Sequence, residues 1–69
     1  MNLLEAEEGT YEIKEVTAGF LGKRKLDDKG VREGAKIKKI TEVGDAVKIQ
    51  NESGDEVWIG SDDIEEIII

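Results

Sequence analysis

Gly22-Lys23-Arg24-Lys25-Leu26-Asp27-Asp28-Lys29-Gly30-Val31-Arg32-Glu33-Gly34-Ala35-Lys36-Ile37 is the stretch on which the fold turns. Lys23 to Lys29 is short and rich in helix formers, and Gly30 stands where a left-handed glycine closes a helix. Gly34 makes a second tight turn four residues later, and Ala35 to Glu42 reads as a strand. Its apolar alternation slips, because Ile37 and Ile40 fall on opposite faces unless a bulge intervenes.

Upstream, Thr10 to Val16 is a strand with Tyr11 and Ile13 on one face, and Val16 breaks the alternation at a bulge or at the strand's end. Residues 1–8 form an arm in which Leu3, Leu4 and Ala6 alternate with acids, a single helical turn lying across the body. Ala18 to Gly22 reads as a flexible loop displaying Phe20 and Leu21. Downstream, Ala46 to Gln50 pairs Val47 with Ile49 on one face. Glu56 to Gly60 pairs Val57 with Ile59 and sends Trp58 the other way. Asn51 to Asp55 is a hairpin loop of common length. Ser61 is a candidate helix cap, with Asp62 and Asp63 where the helix dipole favours acid, and Ile67 to Ile69 is a last short strand.

The expected fold is therefore mainly all-β: a small SH3-like five-stranded barrel, with a short helix after the first strand and a helical turn before the last. An OB-type barrel competes. Its helix would lie between the third and fourth strands, where this chain has only a hairpin loop.

Composition narrows the chemistry. Sixty-nine residues make one domain, 1–69, with a thin core. There is no cysteine and no histidine, so disulfides, thiolate zinc sites and the usual general base are all missing. Ser53 and Ser61 lack a histidine base. Asp27-Asp28, Asp62-Asp63 and Glu65-Glu66 are helix neighbours that point about 100° apart. No enzyme, cofactor or metal site is expected, and the glycines lack phosphate-loop spacing. The chain opens at Met1 without a signal-peptide pattern and has no apolar run long enough to span a bilayer, so a complete cytoplasmic protein is expected.

Net charge is −7, yet residues 23–39 carry +5 and the remainder −12. Such a dipole is either two solvated faces or a device for steering a partner. Single-strand nucleic-acid binders stack bases on surface aromatics, and three aromatics with acids among the basics make a poor platform. A protein-binding surface remains. Phe20 and Leu21 are either its contacts or a lid over the open barrel end. Trp58 is either an exposed anchor or a residue packed on the arm through Leu3 or Leu4.

The quoted stretch also resembles the signature of the FeoA family of bacterial ferrous-iron transport proteins. There, a helix ending in a basic pair and leucine runs into glycine, an apolar residue, two variable residues and glycine. The resemblance extends to Leu4–Gly9 with Tyr11 and Ile13, to Gly44-Asp45-Ala46-Val47 and to Val57–Ile67. Lys29 departs from it where an apolar residue is usual, as do Glu33 and Ala46 where proline is common. The resemblance implies an SH3-like cytosolic accessory of the ferrous-iron permease FeoB, acting on its cytosolic GTP-binding region. A regulatory domain of an iron-dependent repressor is the alternative within the same fold, and a single-stranded nucleic-acid binder the alternative outside it. On this reading Phe20, Leu21, Arg24, Leu26, Arg32 and Trp58 form or border the partner contact, with Leu26 anchoring the helix from within. The protein is expected to be a monomer or to self-associate weakly.

Overall fold

A computed structural model describes residues 2–69. The arm comes first: Ala6 N–H donates to the Asn2 carbonyl (3.2 Å), closing one helical turn that places Leu3 and Ala6 in the core. Strands β1 (Gly9–Glu12) and β2 (Glu15–Val16) follow, then helix α1 (Phe20–Asp28) and the strands β3 (Lys36–Val43), β4 (Ala46–Gln50) and β5 (Glu56–Ile59). Helical turn α2 (Ser61–Ile64) and β6 (Ile67–Ile68) complete the order. One antiparallel sheet runs β1-β3-β4-β5 and a second pairs β2 with β6.

The expected first strand is thus divided between two sheets. Ile13 and Lys14 form the joint: Ile13 N–H donates to Ala35 O (2.9 Å), while Lys14 N–H donates to Ile68 O (2.7 Å). The change of phase at Val16 is this switch, since Val16 turns inward opposite Ile67. A strand that serves two sheets closes a small barrel without leaving that edge unpaired. The bulge anticipated in β3 lies between Lys39 and Thr41 and puts Ile40 out of register. Val47, Ile49, Ile59, Ile64 and Ile67 are completely buried with Leu3 and Leu26. Ile64, Ile67 and Ile69 are therefore core, with β6 paired to β2 inside the molecule.

Three sequence expectations are corrected. Helix α1 begins at Phe20, not Lys23, because Gly19 is extended (φ −67°, ψ 178°) and its carbonyl accepts from Lys23 N–H (2.8 Å). Gly22 is inside the helix, where its bare Cα lets Ala18 approach; a Cβ there would sit 2.9 Å from the Ala18 Cβ. The cap of α2 is Gly60 rather than Ser61, and no side chain bonds the first turn. The last strand stops at Ile68.

Candidate partner-binding face

Helix α1 has one buried residue, Leu26, which packs it on the barrel core. Its far end is pinned by polar contacts. Gly30 takes φ +82°, and Val31 N–H donates to Leu26 O (2.9 Å) as the chain leaves the helix. The Asn51 side chain donates to the Lys29 carbonyl (2.9 Å) and accepts from the amides of Ser53 and Asp55 (both 3.0 Å). One amide thus organises the β4–β5 hairpin loop and ties it to the helix end. Arg32 closes the same corner, with Nε on the Asp27 carboxylate (2.5 Å) and Nη2 on the Asp27 carbonyl (3.1 Å). The hydrogen bond and charge of Asp27 raise the Arg32 guanidinium pKa further above its ordinary value.

At the near end nothing covers the first turn. Phe20 is 80% and Leu21 77% exposed, so neither is a lid on the core. Phe20, Lys23, Arg24 and Asp27 follow helical spacing along one side of α1. They form one wall of an open groove of about 550 Å³. Phe20 supplies its exposed apolar surface, Val16 and Val31 reach it only at the base, where they are almost wholly buried, and Arg32 and Glu33 line it from the loop after the helix.

The structure sorts the basic segment into used and unused charges. Lys25 pairs with Asp63 (3.2 Å), Arg32 with Asp27 and Lys39 with Glu42 (3.3 Å). Among the described residues, Lys23 and Arg24 have no carboxylate within ion-pairing distance. Lys39 leaves the basic face altogether. It is 2% exposed, with its ammonium on the carbonyls of Leu3 and Ala6 (both 2.7 Å). The +5 of residues 23–39 includes it. The available signal was its place two residues after Ile37, in phase with the core.

Of the expected contact residues, the structure brings Phe20, Arg24 and Arg32 together around the groove and puts Leu21 on the exposed tip beside it. Leu26 is completely buried, so it supports the face without being able to touch a partner. Trp58 lies elsewhere. Its carbonyl accepts from Lys29 Nζ (3.3 Å) at the opposite end of α1, while Phe20 begins that helix. It is 47% exposed on the outer side of β5, with Lys48 Nζ 5.9 Å from its ring centroid. Leu3 belongs to the inner core and Leu4 packs against it, while almost half of the Trp58 surface is open to solvent. Among the described residues no three carboxylates converge to hold a metal ion.

A small mainly-β barrel closed by a shared first strand, carrying one helix on an excursion after it, is a module of the SH3-like class. The FeoA domain family model matches residues 1–69, and the chain belongs to the FeoA family. The chain is similar to the solution NMR structure of the FeoA protein from Chlorobium tepidum. The TM-score is 0.83 at 25% identity, over 99% of this chain and 67% of that one. No curated protein is matched. Membership implies a role in ferrous-iron transport, in a family of small accessory transport proteins. No helix among the described residues is long and apolar enough to cross a membrane.

Proposed function

We propose that residues 1–69 act as one cytosolic adaptor domain of ferrous-iron uptake. The domain docks on the cytosolic GTP-binding region of the ferrous-iron permease FeoB and modulates its activity or assembly. The observation that carries this reading is the first turn of α1, where two large apolar side chains stand exposed beside two unpaired cations. Covering an exposed Phe and Leu stabilises a complex by about 1.5–3 kcal/mol each before the cost of association. Arg24 and Lys23 add steering and register more than affinity.

The test is an amide-resolved NMR titration of the labelled chain with the permease's cytosolic part, loaded with nucleotide and empty. Shifts clustered over residues 19–34 support the adaptor reading, and a flat titration in both states sinks it. Arg24→Glu is the clean variant, since Arg24 braces nothing, and a loss of about tenfold in affinity is expected with an unchanged amide spectrum elsewhere. Arg32 is a poorer probe. Its guanidinium is engaged by Asp27, so reversing it disturbs the helix end as well as the surface charge.

A further inference from the structure

The groove beside α1 is polarised, and the polarity specifies what it takes. Its apolar surface is the exposed Phe20 ring, above a base at which Val16 and Val31 are almost wholly buried. The helix-side rim carries Lys23 and Arg24, both without a carboxylate partner among the described residues. On the rim formed by the loop after the helix the Arg32 charge is cancelled by Asp27, which leaves Glu33 as the free charge there. Outside residues 23–39 the chain carries −12, so acidic segments are repelled from most of the surface and drawn to this rim.

Resting on the adaptor reading, we propose that the groove binds an acidic–apolar segment of the partner. A large apolar side chain packs on Phe20 above the base at Val16 and Val31. A carboxylate immediately beside it meets Lys23 and Arg24. Glu33 opposes a second carboxylate on the far side, so the acid lies on one flank only. A polyanion with charge on both flanks fits worse than a segment with one acid, because one of its charges faces Glu33.

The test uses the full chain, 15N-labelled, with four short synthetic peptides. One carries Asp-Glu followed by Leu-Phe; the second replaces the acids by Asn and Gln; the third replaces Leu-Phe by Ala-Ala; the fourth flanks Leu-Phe with acids on both sides. The first peptide should shift the amides of Val16, Phe20, Lys23, Arg24 and Val31. The second and third should bind at least fivefold more weakly, and the fourth no better than the first. Arg24→Glu should remove the preference for the first peptide over the second, and Glu33→Gln should improve the fourth selectively.

Equal binding of the first two peptides overturns the proposal, as do shifts centred on Trp58 or no shifts at millimolar peptide. Titrating the permease's cytosolic part in parallel separates the two readings. If that part shifts the same amides while no peptide does, the acidic–apolar assignment is wrong and the adaptor reading stands. If the peptides bind as expected and the permease part does not, the groove chemistry stands and the adaptor reading falls.

Discussion

Lys39 is the side chain whose placement is least expected from its type. Lysine is almost never fully buried without partners, and here the ammonium has them. The single turn of the arm leaves the Leu3 and Ala6 carbonyls without intrahelical donors, and Lys39 Nζ supplies both, with Glu42 as a half-exposed counter-charge. Lys39→Met keeps much of the volume but orphans two buried acceptors, an effect of about 1–3 kcal/mol. In a domain this small, that lowers the Tm by roughly 5–15 °C. Hydrogen exchange should locate the loss, with the Ala6 amide exchanging faster while Val47 and Ile49 stay protected. A variant as stable as the parent, with a slow Ala6 amide, would show that the ammonium does not hold the arm. The period of two from Ile37 marks position 39 as inward, but the acceptors that make a buried lysine tolerable come from 33 and 36 residues away. Local pattern shows the phase and is silent on such a partner.

Helix α1 shows the same division between what neighbours in sequence reveal and what distant ones decide. Its C-terminal stop at Gly30 was legible, since a short run of helix formers followed by glycine is a local signal. Its start was not. Gly22 reads as a breaker, yet it is helical because Ala18 needs the space, a fact of packing between the helix and the chain leading into it. Gly30 carries a second constraint from afar. A Cβ there would lie 2.6–2.9 Å from the Asn51 side-chain atoms, in a backbone conformation already left-handed. Gly30→Ala should therefore cost about 2 kcal/mol or more, above the usual 1–2 kcal/mol penalty of that conformation. Thermal unfolding measures the total, and Asn51→Ala in the same background separates its parts. The second change should recover little, since the Cβ of residue 51 stays 2.8 Å from the new one and the bond to the Lys29 carbonyl is lost. The exposed tip at Phe20 and Leu21 was visible as two apolar residues among glycines. Whether they covered the core could not be read from spacing, because a lid and a contact share one pattern.

The barrel as a whole rests on one apolar cluster that draws on every strand except β1, on both helical elements and on the arm, while β1 adds Tyr11 from its margin. With no cysteine in the chain and no cluster of metal-ligating side chains among the described residues, the margin of stability is narrow. Ile67→Ala removes a completely buried side chain opposite Val16. A loss of about 2–5 kcal/mol is expected, a large part of what a domain of this length possesses. Denaturant titration should show a much lower midpoint or no folded baseline, and a midpoint near the parent's would mean that β6 contributes little to closure. The charge asymmetry predicts a different observable. Association of the α1 face with an acidic partner should slow as salt rises, mainly through the on-rate, since exposed charges are screened over about 8–10 Å at moderate ionic strength. A salt-independent on-rate would leave the −12 and +5 regions as solvated surface. The five-stranded order, the excursion and the final helical turn were all legible from spacing and glycine positions. The division of the first strand was not, because residues 13 and 14 look like ordinary strand. That division has a consequence for biosynthesis. Val16 is made 51 residues before its partner Ile67, so residues 67 and 68 must leave the ribosome before the barrel can shut. Until then the apolar faces of the growing chain have no permanent cover.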